Sequence, residues 1–194
     1  MTTLPITREK AISVLKEATK EQSDMNHYLE SEAIMKTLAR HLGEDEEYWG
    51  MLGLIHDIDW GLTKENTANH LTKAPDMLKA LGFDEEFINI ILSHGYGFEC
   101  AGLSEKIRTK PIEHALASSE TITGLIHAYA LMREKKVTGM SVKGLKKKFK
   151  DKKFAAGVNR DIIKEVEHLG LELNEFFALA IKAVEEIKES VYLE

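Results

Sequence analysis

A chain of 194 residues, 43% hydrophobic and 30% charged, is long and apolar enough to bury one core without staples, which excludes a disordered polymer. Its single cysteine, Cys100, excludes an internal disulfide and a cysteine-rich zinc site, as a reducing cytosol would permit. The net charge of −6 gives no general pull toward nucleic acid, and no run approaches the roughly 18 apolar residues of a membrane span. A cytoplasmic protein with no membrane partner is therefore expected. The first residues turn charged by Arg8 and lack the apolar run of a signal peptide. Only Pro5, Pro75 and Pro111 could break helices, while Ala, Leu, Glu and Lys abound, so the fold class predicted is all-α.

Thr7, ahead of Arg8, Glu9 and Lys10, reads as the N-cap of a first helix carrying Ala11, Val14 and Leu15 inward. A second helix is predicted from Asp24 to His41, stopping at Gly43. Along it His27, Ser31, Ile34, Leu38 and His41 recur at helical spacing, which sets His27 in line with an apolar stripe. The third helix, from Asp45 to Asp57, starts acidic, as the helix dipole prefers. Its body, YWGMLGLI, is apolar on nearly all sides and is predicted to be the central buried helix.

Two further helices are predicted at about 67–81 and 84–94, with Gly82 turning between them. The glycine-rich stretch GYGFECAGLSEKIRT after His94 suits a loop beside a site. Pro111 then opens a long helix, IEHALASSETITGLIHAYALMRE. The basic stretch SVKGLKKKFKDKKFAAG reads as one or two short helices, and two last helices, at about 160–168 and 172–189, close the chain. No repeat, linker or period-two segment interrupts this pattern, so residues 1–194 read as a single domain. Its core would lie at about 20–130, with the helices of about 141–190 packed upon it.

The dyad His56–Asp57 closes an otherwise apolar helix, so it must be paired, hydrogen-bonded or metal-bound to be tolerated. Neighbouring helical side chains diverge by about 100°, so these two converge only on something lodged at the helix end. A divalent cation fits, through an imidazole nitrogen and a carboxylate oxygen. Hydrogen bonds at a helix terminus are the alternative. His27, His70 and His94 each lie near a helix end or on an apolar-flanked face, and together with the dyad they suggest a metal cluster.

In this order, HYLESEAIM (27–35), GLIHDIDW (53–60), NHLTKAPDML (69–78) and ILSHGYG (91–97) resemble the HD superfamily of metal-dependent phosphohydrolases. The likeness continues through ALASSETITGLI (115–126) and KKKFKDKKFAAGVNRDII (146–163), spanning about residues 20–185. It implies an all-helical HD fold with one or two divalent ions (Mn, Fe, Ni, Co, Zn or Mg). By that resemblance His27, His56 and Asp57 match the ligands of a first metal, and His70 and His94 those added by members with two. The family's last aspartate aligns with Glu120, one methylene longer, set among Ala115, Ala117, Ser118, Ser119 and Gly124. Glutamate can ligate the same ions with its carboxylate shifted.

Asp59 stands open between hydrogen-bonding a ligand histidine, acting as general base, and closing a turn. Trp60 is expected to pack on the core, Cys100 to be a bystander, and His41, His114, His127 and His168 to be surface or packing residues. Residues 141–160 hold seven lysines and Arg160 against Asp151, a net +7 that leaves −13 for the rest. Leu145, Phe149 and Phe154 would pack inward while lysines reach outward. Capture of an anionic ligand is the other reading, with Lys147, Lys148 and Arg160 as candidates; nucleic acid is the least suited.

The resemblance thus implies hydrolysis of a phosphoester by metal-activated water on a small phosphate-containing substrate, and Asp57 and Asp59 are the catalytic carboxylates expected for it. A di-iron oxygenase on the same fold and a non-catalytic metal- or nucleotide-binding module are the alternatives.

Overall fold

The computed structural model describes residues 3–194; of the expected unit 1–194, residues 1 and 2 lie outside the described residues. The described residues form helices joined by turns, with no strand among them. The first helix, α1 (Arg8–Ala18), begins where Thr7 Oγ1 accepts the Lys10 amide at 3.3 Å. Helix α2 (Gln22–Leu42) ends at Gly43, whose φ of 77° turns the chain out of the helix. Helix α3 (Glu46–Ile55) is capped by Asp45 and is buried from Trp49 through Ile55, the central helix its apolar body predicts.

The approach of α2 to α3 depends on one glycine. A Cβ at Gly53 would stand 2.6 Å from the carbonyl oxygen of Ser31, so a larger residue would push the helices apart. Close packing here brings the start of α2, with His27, alongside the end of α3. That end comes at Ile55, leaving His56 and Asp57 in the turn before the short α4 (Trp60–Thr63).

The helix predicted at 67–81 forms only in its second half, as α5 (Ala74–Ala80), preceded by a 3-10 turn at Thr67–Asn69. Between them His70 is extended, with ψ of 138°, and Leu71 takes a φ of 67°. The buried Asp59 carboxylate accepts the amides of Leu71 and Lys73 at 3.2 and 3.0 Å, and so holds this segment out of the helix its apolar spacing favours. A branched residue in the left-handed region is strained, and such strain gathers at functional sites.

Gly82, with φ of 90°, makes the expected turn into α6 (Glu85–Ser93), which delivers His94 at its end. Helix α7 (Pro111–Met132) is the long helix that Pro111 opens. Helix α8 (Val142–Lys150) buries Leu145 and Phe149 as predicted, and Phe154 beyond it packs against the core. Helix α9 (Arg160–Lys164) tightens into a 3-10 turn to Leu169, and α10 (Leu173–Glu186) is followed by another at Lys188–Val191.

One cluster of buried apolar side chains runs from Ala11 to Leu193, and Phe149, Phe176 and Phe177 of the C-terminal half are part of it. Helices α8 and α10 pack on α7 and α2, so the C-terminal third closes over the long helices rather than standing apart. Among the described residues, no helix is long and apolar enough to cross a membrane.

Candidate metal centre

Four histidines and Asp57 meet where α2, the α3–α4 turn, the 70–73 loop and the end of α6 converge. His27 Nε2 lies 3.0 Å from His56 Nε2, and these atoms stand 3.7 and 3.6 Å from Asp57 Oδ2. On the other side, His70 Nε2 lies 3.2 Å from His94 Nε2, and the two stand 3.2 and 3.1 Å from Asp57 Oδ1. One carboxylate therefore faces a different pair of histidines with each of its oxygens.

The second nitrogen of each ring decides what the first can do. His56 Nδ1 donates to the Gly53 carbonyl at 2.9 Å, and His94 Nδ1 donates to Ile91 at 2.7 Å. Thr123 gives its own proton to the Glu120 carbonyl at 2.6 Å, so its oxygen is left to accept from His27 Nδ1 at 2.8 Å. With these protons assigned by their partners, the Nε2 atoms of His27 and His56 turn bare lone pairs on each other at 3.0 Å. Two such lone pairs repel unless a cation stands between them.

A divalent ion fits that need. Two donors each about 2.1 Å from one ion, at tetrahedral or right angles, are themselves about 3.0–3.4 Å apart. The histidine pairs match this spacing, and each set of three ligand atoms lies within 4.8 Å of one another. Tyr28 closes the floor, its hydroxyl 3.5 Å from the Asp57 carbonyl; burial, with Asp57 beside it, raises its phenol well above the usual range.

Electrostatics sets the two sides apart. Burial drives His56 down to about 3, with Asp57 opposing, so its imidazole is neutral and ready to ligate. His70 is buried too, which alone would lower it, but Asp57 and Asp59 outweigh that and raise it to about 10. Burial would raise the Asp57 carboxyl, yet the surrounding His56, His70 and His94 hold it well below the carboxylate range. Burial raises Glu120, while His94 and His27 pull against it.

The structure gathers five of the six expected ligands. Glu120 joins neither group; its Oε1 accepts the Thr121 hydroxyl at 2.5 Å, and its side chain forms part of the cavity wall. Asp59, expected among the catalytic carboxylates, is fully buried behind His70, with Oδ1 3.2 Å from His70 Nδ1 and both oxygens taking backbone amides. That placement is the turn-closing alternative, with the carboxylate in ion-pair contact with His70 rather than in a well-aligned hydrogen bond to it.

A cavity of about 560 Å³ opens over Asp57, His70 and His94, walled by Trp60, Phe98, Cys100, Glu120 and Gly157. Trp60 was expected in the core; instead its ring stands edge-on to His70, centroids 5.2 Å apart, and lines this cavity. Cys100 lines it as well, its thiol raised by burial. Of the candidates for anion capture, none lines the cavity. Arg160 spends its guanidinium on the carbonyls of Phe149, Asp151, Phe154, Ala155 and Val158, and the Lys148 ammonium sits 4.6 Å from the Phe154 ring centre. The basic segment reaches the site through the backbone at Gly157, which Arg160 holds in place.

The remaining histidines are packing residues in part. His127 pairs with buried Glu30 at 2.7 Å, His41 lies 3.4 Å from Glu175, and His114 bonds Glu165 at 2.8 Å while stacking on His168. Sequence reasoning missed Thr123, Arg108 and Glu165. Thr123 had a signal, because it lies one turn after Glu120 on the buried face of α7. The other two had none.

A family model for the HD domain matches residues 25–136, more than half of the chain. The chain belongs to the HD domain family. All six expected ligand positions fall within the matched stretch, whereas the likeness read at 146–163 lies beyond it. The family is one of metal-dependent hydrolases that bind divalent ions, and the histidine–aspartate groups are the HD domain's candidate site for them. No solved structure matches the chain.

Proposed function

We propose that this HD domain is a phosphohydrolase that cleaves a small phosphoester at a two-metal centre. The supporting observation is the single Asp57 carboxylate shared between two histidine pairs. His27, His56 and Oδ2 of Asp57 would hold one divalent ion, and His70, His94 and Oδ1 the other. A donor set this rich in imidazole suits Mn, Fe, Ni, Co or Zn better than Mg. When bound, such a pair lowers the pKa of a water and neutralises charge building on the phosphoryl oxygens.

The chain's own residues do the rest. Asp57 fixes the two halves of the site relative to each other and is the catalytic carboxylate of this reading. Glu120, on the cavity wall, is the carboxylate placed to take a proton during attack, and its role is that of a base rather than a ligand. Asp59 sets His70 from behind. Trp60 and Phe98 flank a space of about 560 Å³, suited to a small anionic phosphate ester rather than to nucleic acid or a membrane surface. The active unit is the single domain, in the cytoplasm.

The test is metal content by elemental mass spectrometry on protein purified without chelator, alongside His56→Ala. Hydrolysis of p-nitrophenyl phosphate and of nucleoside monophosphates is then assayed with the metal found. About two equivalents, with ester hydrolysis abolished in the variant, is the expected result. A bridging carboxylate among histidines also suits an iron pair, so iron with oxygen consumption and no hydrolysis would overturn the proposal in favour of an oxygenase. Metal without turnover on any phosphoester would leave a binding module.

A further inference from the structure

Outside the candidate metal ligands, one polar cluster centres on Arg108 in the loop before α7. Its guanidinium is nearly buried, with the side chain only 7% exposed, and every nitrogen of it is used. Nε and Nη2 grip the two oxygens of Glu165 at 2.6 and 2.7 Å, a bidentate pair. Nη1 donates to the carbonyls of Ser93, Tyr96 and His94 at 2.8, 3.1 and 3.4 Å. These are the last carbonyls of α6 and the turn after it, which a helix end leaves without internal partners. His114, from α7, braces Glu165 at 2.8 Å and stacks on His168 with ring centres 4.3 Å apart.

We propose that Arg108, clamped by Glu165, is the positioning residue for His94, and that the segment after α9 thereby governs the second metal position. Glu165 lies beyond the stretch the family model matches, yet it anchors Arg108, whose guanidinium touches the backbone that carries His94. His94 Nε2 must reach Asp57 Oδ1 at 3.1 Å and His70 Nε2 at 3.2 Å. Its ring is fixed by Ile91 at one nitrogen, so its remaining freedom is that of the backbone. Three carbonyls drawn to one buried guanidinium remove that freedom. Among the described residues no buried guanidinium bonds the backbone at His27 or His56, whose rings are held by Thr123 and Gly53. The clamp therefore acts on one side of Asp57 only.

The inference rests on the two-metal reading, and the test separates them. Cobalt(II) is titrated into metal-free protein, followed by visible absorbance and by metal per chain after gel filtration. Wild type, Arg108→Lys, Glu165→Gln and His94→Ala are compared. Arg108→Lys keeps the charge but not the fork, and Glu165→Gln keeps the volume but not the charge, so one remains informative if the other fails to fold. The expected result is two equivalents in wild type and one in His94→Ala. In the two clamp variants the first equivalent binds as in wild type, and the second binds about 10–100-fold more weakly, as loss of a supporting partner to a metal ligand typically gives. Equal loss at both positions would mark a merely structural role and overturn the inference. So would both equivalents binding as tightly as in wild type, while leaving the two-metal reading intact. A wild-type protein that takes up fewer than two equivalents would remove the reading itself.

Discussion

Thr123→Val is the sharpest probe of how the first histidine pair is presented. The substitution keeps the shape of a side chain that is 2% exposed and deletes the oxygen that accepts from His27 Nδ1 at 2.8 Å. A buried donor left without a partner costs about 1–3 kcal/mol. His27 is 28% exposed at its side chain, so water can reach the ring and the low end, about 1 kcal/mol, applies. For a domain of this size that is a fall in Tm of about 2–4 °C. The larger effect falls on the metal. Without Thr123 the ring is free to turn or to place its proton on Nε2, and affinity at the first position should fall by about 10–100-fold. Thr123→Ser, which keeps the acceptor, should bind as wild type does. Manganese or cobalt titration by calorimetry reads the affinities, and differential scanning calorimetry reads the stability. If Thr123→Val binds two equivalents as tightly as wild type, the tautomer of His27 is not fixed by this hydrogen bond, and the lone-pair argument for the site loses its footing.

Two other outcomes follow from the packing around the site. Arg160→Ala frees five backbone carbonyls between Phe149 and Val158, so amide hydrogen exchange should rise across residues 151–158 while α2 and α3 stay protected; unchanged exchange there would refute the stapling role. Glu165 is held below its ordinary value of 4.5 because the bonds from Arg108 and His114 outweigh the opposing effect of burial. Its folded pKa is the lower one, so its stabilising contribution is whole above about 4.5 and is lost as pH falls through the folded value. Acid unfolding followed by circular dichroism should accordingly be less steep in Glu165→Gln below pH 4.5, and identical slopes would show that the clamp carries no such linkage.

The all-α class, the order of the helices and most of their ends were legible in the sequence by itself. Helical periodicity, few prolines, Thr7 as a cap, and Gly43 and Gly82 as stops act within a few residues, so the chain need not be folded for them to be read. The resemblance to the HD superfamily likewise singled out His27, His56, Asp57, His70 and His94. The tertiary structure decided what depends on distant partners. It stopped the helix predicted at 67–81 from starting early, because Asp59 draws the amides of Leu71 and Lys73 to itself. It placed Glu120 on the cavity wall and outside both ligand groups, and it turned Arg160 from a candidate anion contact into a brace for its own loop. Above all it gave the two oxygens of Asp57 different histidine pairs, and it joined Arg108 to Glu165 across 57 positions of sequence. Local propensity can name a residue type at a helix end, but which atom it faces is fixed by how the helices pack.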